Sequence, residues 1–194
     1  PVVIKADGLA AGKGVVLPGT FEEALEEARA MLEENRFGEA GRTVVIEECL
    51  RGRELSVLAL TDGRTLAVLE TAQDHKRALD GDQGANTGGM GAFSPSPAAT
   101  DDVMREVTRE VLVRAMHGLA RERIDYRGVL YAGLMLTRGG VKALEFNCRF
   151  GDPEVQVVLR RMKSDIVPLL VAVADGKLAD VSELTWDPRP AVGV

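Results

Sequence analysis

Two short turns constrain the fold of this chain more than any other feature. Asp62-Gly63 separates the β-forming runs 55–61 and 66–73, and Arg138-Gly139-Gly140 separates the runs 129–137 and 141–148. Asp-Gly between two such runs is a strong hairpin signal. Turns of this length join antiparallel neighbours, because a parallel pair needs a crossover of a dozen or more residues. Further strands are expected at 2–6, 15–17 and 44–48. Interspersed with helices and without repeated βαβ units, they give an α+β class with mainly antiparallel sheets.

The helices carry their own start and stop signals. Thr20 and Glu23 form a capping box. Phe21, Ala24, Leu25, Ala28, Met31 and Leu32 follow as one apolar stripe, and Gly38 lies past its end. A long amphipathic helix is expected over 101–123, with Val103, Val107, Leu112, Met116 and Leu119 inward. Asp152-Pro153 reads as a cap and first helical position. Ser164-Asp165 starts a last helix that ends before Gly176. The stretch 74–97, rich in glycine and polar residues, has almost no regular pattern, as a functional or disordered loop would.

The 194 residues allow one substantial core or a closely joined pair of lobes. A net charge of −6 argues against a nucleic-acid partner or an anionic membrane surface, which start from clustered basic charge. Cys49 and Cys148 sit in apolar strand-like runs and are expected as reduced, buried thiols. With no run long enough to span a membrane and no signal-peptide pattern, a cytoplasmic location is expected. The chain opens inside a strand-like run without a Met and stops where another strand begins, as part of a longer protein would.

Four constellations could carry chemistry. Lys5 precedes Gly8-Leu9-Ala10-Ala11-Gly12-Lys13-Gly14. Glycines there would let backbone N–H groups approach a phosphate, with lysine supplying charge. The spacing is not that of a Walker A loop, which requires Ser or Thr after its lysine. A hairpin tip with a solvated lysine remains open. Glu47-Glu48-Cys49-Leu50 with Glu54 could present an adenine-binding edge and a ribose-binding carboxylate, or be a solvated strand end.

Glu145, Asn147 and Arg149 would share one strand face, with Leu144, Phe146 and Cys148 toward the core. Oxygen donors at i and i+2 suit Mg2+, and an arginine beside them would stabilise a phosphoryl group in transfer. A wet sheet face is the plainer alternative. Last, Asp74-His75-Lys76-Arg77 and Asn86-Thr87-Gly88-Gly89-Met90-Gly91-Ala92 could bind an anionic substrate, or form an ordinary surface loop.

Taken together, residues 4–15, 73–77, 86–92 and 145–154 resemble the phosphoribosylamine–glycine ligase family, in its order and approximate spacing. The resemblance implies an ATP-grasp fold, with two α+β lobes holding ATP between them: a small lobe over 1–50 with the phosphate loop, and a large lobe over 51–194 with the metal and substrate side. It implies that ATP, glycine and 5-phosphoribosylamine give ADP, phosphate and glycinamide ribonucleotide through a glycyl phosphate, in de novo purine synthesis.

Carried over, Lys5, Gly12, Lys13 and Gly14 contact ATP phosphates. Glu47, Glu48, Cys49 and Leu50 line the adenine pocket, and Glu54 holds the ribose. Glu145 and Asn147 ligate Mg2+ or Mn2+. Arg149 meets phosphate or the glycine carboxylate, and Asp74 meets the glycine ammonium. The preceding strand, Tyr131-Ala132-Gly133-Leu134-Met135, has no carboxylate where many ATP-grasp enzymes place another metal ligand. The resemblance also implies a domain before Pro1 that contributes to phosphoribosylamine binding, another after Val194, and a parent expected as a monomer. Another ATP-grasp carboxylate–amine ligase, or a nucleotide-binding fragment without turnover, are the competing readings.

Overall fold

A computed structural model describes residues 1–10, 14–81 and 83–194, with the backbone alone at Ala85 and Asn86. The chain divides into two compact units, Pro1–Arg51 and Gly52–Val194.

The first unit is a three-stranded antiparallel sheet with one helix. Its strands are β1 (Val2–Ala6), β2 (Val15–Val16) and β3 (Val44–Glu48), in the order β2-β1-β3. Helix α1 (Phe21–Leu32) covers the sheet, and Ile4, Ala24 and Met31 form the small core. Thr20 accepts from the N–H of Glu23, as a capping box requires, but the Glu23 carboxylate reaches back one residue further than expected, to Gly19 N at 2.7 Å. Half of the predicted stripe stays outside: Phe21, Leu25 and Leu32 are exposed. A 3₁₀ turn, Gly38–Gly41, leads into β3.

The second unit is organised by an antiparallel sheet in the order β11-β10-β4-β5. These strands are β4 (Arg53–Thr61), β5 (Leu66–Val68), β10 (Gly128–Thr137) and β11 (Gly140–Asn147). Side-chain alternation divides the core in two. Leu55, Val57 and Ala59 of β4 and Leu130, Ala132 and Leu134 of β10 pack against Val107, Val111 and Leu112 of the long helix. Leu58, Leu60 and Tyr131 face the other way, against Val157, Val158, Leu169 and Val173. Both faces of β4 are covered, which is why its sequence is a continuous apolar run rather than an alternating one.

The long helix is α2 (Asp101–Glu106), a π-helical stretch Val107–Leu112 and α3 (Val113–Arg121). On the opposite face lie α4 (Glu154–Arg161) and α5 (Ile166–Asp175), the latter capped by the Asp165 carboxylate and closed by left-handed Gly176. The Asp62-Gly63 hairpin is fixed by the Asp62 carboxylate, which accepts from Arg64 N, Thr65 N and, across the fold, Leu178 N.

Several expectations change. The run 66–73 is not one strand: β5 stops at Val68, a single bridge pairs Ala72 with Ser56, and Gln73–Asp74 is a separate strand, β6. The stretch 74–97 is not patternless. It contains β7 (Arg77–Leu79), β8 (Gln83–Asn86) and β9 (Ala92–Ser94). β9 pairs with β6 and with β12 (Ala191–Gly193), and β7 with β8. His75 N donates to Gly91 O, Met90 N to His75 O and Thr87 N to Lys76 O, so the segment is a narrow, zipped tongue.

Phe146, on the edge strand β11, and Cys148, just beyond its end, are exposed and only Leu144 is half-buried, contrary to the expected inward face. The two cysteines are free, but Cys49 is half-buried and Cys148 exposed rather than buried. β11 also ends at Asn147, leaving Arg149 on the bend beyond it, so strand alternation does not carry Arg149 onto the face of Glu145 and Asn147. Asp152 does not cap α4; its carboxylate accepts from the Gln156 side chain, and Pro153 is the cap residue.

Candidate functional site

In the first unit, the β1–β3 register sets Lys5 opposite Val45 and Val3 opposite Glu47. Lys5 and Glu47 therefore reach each other diagonally, and their side chains pair at 2.6 Å. Glu48 ends β3 as an exposed residue, with Cys49 and Leu50 half-buried after it. Gly14 is packed against the chain it follows: its carbonyl accepts from Ala6 N, and a Cβ on it would sit 2.8 Å from Ala10 Cβ. Gly8 is closely packed as well. A Cβ there would lie 2.5 Å from Ala40 Cα, so this glycine lets β1's exit pack onto the 3₁₀ turn. Gly12 and Lys13 lie outside the described residues.

In the second unit, a cluster of charged side chains forms around the root of the tongue. Asp74, on β6 opposite Ala92, is 7% exposed. Burial pushes its carboxyl up to about 6; Lys76 opposes the shift, and Glu154 and Glu54 add to it. Lys76 pairs with Glu54 of β4 at 3.4 Å. Burial works against the ammonium charge, but Glu54, Asp74 and Glu145 outweigh it and raise the Lys76 pKa. Glu54, Asp74, Lys76 and Glu145, separated by up to 91 residues of sequence, thus share one electrostatic neighbourhood.

Glu145 and Asn147 face Gly133 and Tyr131 in the β10–β11 register. A register shift between Gly133 and Leu134 precedes them, and 145–147 then run regularly. Gly133 leaves the space that Glu145 crosses: a Cβ at 133 would be 3.2 Å from Glu145 Cγ. Glu145 is exposed and Asn147 half-buried, two residues apart on β11. Two hard oxygen donors of this kind suit Mg2+ or Mn2+, which complete their shells with water and phosphate oxygens. The donor set is sparse: no group of three His, Cys, Asp or Glu with metal-binding geometry occurs among the described residues. Arg149 turns its guanidinium onto its own neighbour, donating to Phe150 O at 2.8 Å.

The residues to which sequence reasoning gives no role are Ser56, Tyr131 and Glu154. Glu154, the first residue of α4, is 3% exposed. Its Oε1 accepts from the Tyr131 hydroxyl at 2.7 Å and from Ser56 Oγ at 3.1 Å. Burial and the Glu154 charge both raise the Tyr131 pKa, keeping the phenol a donor. The signal in the sequence was slight: a serine and a tyrosine inside apolar strands, whose hydroxyls need partners once buried. A surface cavity of 440 Å³ beside the Asp62-Gly63 turn is lined by Asp62, Arg64, Asp125, Arg127 and Asp175, and by none of these residues.

Residues 1–155 match the family model of the phosphoribosylglycinamide synthetase ATP-grasp (A) domain. The whole chain is 54% identical over 193 residues to the phosphoribosylamine–glycine ligase of Rhodopirellula baltica, covering 44% of it. It is 51% identical over 193 residues to the trifunctional purine biosynthetic protein adenosine-3 of Bos taurus, covering 19% of that protein. The crystal structure of phosphoribosylamine–glycine ligase from Thermotoga maritima matches all of this chain with a TM-score of 0.85 and 37% identity, over 48% of its own length. The chain therefore spans less than half the length of these relatives.

Proposed function

Because the chain belongs to the phosphoribosylglycinamide synthetase ATP-grasp domain family and has its α+β ATP-grasp fold, we propose that it is the phosphoryl-transfer core of a ligase that joins glycine to 5-phosphoribosylamine. The observation that carries the reading is the match of the whole chain, at 54% identity, to phosphoribosylamine–glycine ligase. The charged neighbourhood of Glu54, Asp74, Lys76 and Glu145 supports it independently.

A carboxylate is a poor electrophile, and phosphorylation gives it a leaving group. A carboxylate oxygen of glycine attacks the γ-phosphorus of ATP, the bond to the bridging oxygen breaks, and ADP leaves. The amine nitrogen of phosphoribosylamine then attacks the acyl carbon and loses a proton as inorganic phosphate departs. Phosphoryl transfer of this kind depends on positioning and charge stabilisation.

We assign Lys5, Gly12, Lys13 and Gly14 to the ATP phosphates, Glu47, Glu48, Cys49 and Leu50 to adenine, and Glu54 to the ribose. The Lys5–Glu47 pair pre-orients a cation on β1. Glu145 and Asn147 would hold Mg2+ or Mn2+, which when bound offsets phosphate charge. Among the described residues, Arg149 bonds a backbone carbonyl, Phe150 O, which it would give up to meet phosphate or the glycine carboxylate. Asp74, ionised above its raised pKa of about 6, takes the glycine ammonium.

The test is to follow ADP release by the full-length protein that carries this chain, with ATP, Mg2+ and phosphoribosylamine, offering glycine or another carboxylate. Glycine-dependent release is expected. Release with another carboxylate and none with glycine would overturn the assignment.

A further inference from the structure

Glu154 is a buried carboxylate that the reaction as written does not use. Its hydrogen-bond partners, Tyr131 on β10 and Ser56 on β4, are neutral hydroxyls. A buried carboxylate without a bonded cation is costly, and two hydroxyl donors offset only part of that cost. The carboxylate is also held in place from behind: a Cβ on Gly151 would sit 2.5 Å from Glu154 Oε2, so the side chain folds over bare backbone.

Ser56, which donates to Glu154, is paired through its backbone with Ala72, two residues before the buried Asp74, so the strand that carries Asp74 runs beside the Glu154 clamp, and the two carboxylates act on each other. The groups around Asp74 are Lys76 on its own segment, Glu54 from β4, Tyr131 from β10 and Glu154 from α4, with Glu145 of β11 facing Lys76. Lys76 is already paired with Glu54 at 3.4 Å. Among the described residues, Asp74 and Glu154 together thus hold more negative charge than the Lys76 ammonium, already shared with Glu54, compensates.

We propose that Glu154 is a positioning residue for the amino-acid substrate: clamped by Tyr131 and Ser56, it keeps a fixed negative charge behind Asp74, so that Asp74 holds an ammonium group rather than a neutral one. The inference rests on the assignment of Asp74 to the glycine ammonium. Glu154 does not touch the substrate; it acts through Asp74. A substrate cation arriving at Asp74 relieves the repulsion between the two carboxylates, and a neutral group of the same shape does not.

Glu154→Gln in the full-length protein tests this, because the amide keeps an acceptor for Tyr131 and Ser56 and removes the charge. The readouts are KM for glycine, KM for ATP, kcat, and the inhibition constant of glycolate, which carries a hydroxyl in place of the ammonium. We expect the glycine KM to rise roughly tenfold, with the glycolate constant, the ATP KM and kcat within about twofold, so that glycine loses its advantage over glycolate. An equal change for glycine and glycolate, or no change in either, overturns the proposal. If Glu154→Gln does not fold, Tyr131→Phe, which removes the shorter of the two hydrogen bonds that position the carboxylate and leaves Ser56 and the charge, should still weaken glycine selectively; equal weakening of glycolate, or no change in either, overturns the proposal there too. Failure of the functional reading looks different: the unsubstituted protein would release no ADP with glycine, and this inference would fall with it.

Discussion

The Tyr131 hydroxyl donates a 2.7 Å hydrogen bond to Glu154 Oε1, joining the middle of β10 to the first residue of α4 in a buried setting. Ser56 on β4 completes the clamp at 3.1 Å. β4, β10 and α4 are thereby tied together by polar groups beside the apolar cluster of Leu58, Leu60, Val157 and Val158.

Asp74 should act against stability at neutral pH. Its pKa is raised from 3.8 to about 6, so the folded state binds its proton more tightly than the unfolded state does. The favourable contribution is complete below about pH 3.8 and is lost as pH rises through about 6. Asp74→Asn is therefore expected to raise the midpoint of thermal unfolding at pH 7.5, with the gain shrinking toward pH 4. Thermal melts across this range measure it, and glycine-dependent turnover should fall in the same variant.

Asp62 should behave in the opposite sense. Burial pushes its pKa up, but the backbone hydrogen bonds from Thr65, Arg64 and Leu178 prevail and hold it below the usual value of 3.8. Its stabilisation is present above about pH 4 and is lost as pH falls through the lowered pKa. Asp62→Ala should cost about 2 kcal/mol at pH 7, from loss of a carboxylate that accepts three backbone N–H groups. Urea unfolding at pH 7 and pH 3 should show the difference narrowing at the lower value.

Glu145→Gln should separate activity from folding. The residue is exposed on an edge strand, so its thermal midpoint should move by no more than about 2 °C, as for a surface change. Affinity for Mn2+, followed by electron paramagnetic resonance without substrates, should fall about tenfold or more. Turnover should fall with it. Unchanged Mn2+ affinity would remove Glu145 from the metal site.

Lys5→Met should raise the KM for ATP about tenfold, through loss of one cation facing phosphate. It also leaves Glu47 without its 2.6 Å partner. Glu47→Gln separates the two effects: nucleotide affinity should fall less there than in Lys5→Met. Competition binding with ADP and ATP measures both.

How much of this was legible in the sequence depends on the range of the interactions. The Asp62-Gly63 and Arg138-Gly139-Gly140 hairpins, the Thr20 cap and the Asp165–Gly176 helix rest on contacts within a few residues, and local patterns report them. The tongue of β6 to β9 does not show, because its strands are two to four residues long and partly polar. An edge strand such as β11 reads like one covered by neighbours, since only the assembled sheet order shows that it pairs on one side. Among the candidate residues, Glu145 and Asn147 stood out through their i, i+2 spacing. Arg149 was placed with them because the end of β11 lies at a bend that strand periodicity does not mark. Glu154 closes the 145–154 motif, but its burial and its role are not legible there: its partners lie 23 and 98 residues away, so nothing local signals them.

Transfer of oxygen from glycine to phosphate tests the central claim most directly. The full-length protein is given ATP, phosphoribosylamine and glycine carrying ¹⁸O in both carboxylate oxygens, and the inorganic phosphate is analysed by mass. Activation of the carboxylate by phosphorylation predicts one ¹⁸O in each phosphate released. Product formation with unlabelled phosphate would contradict it.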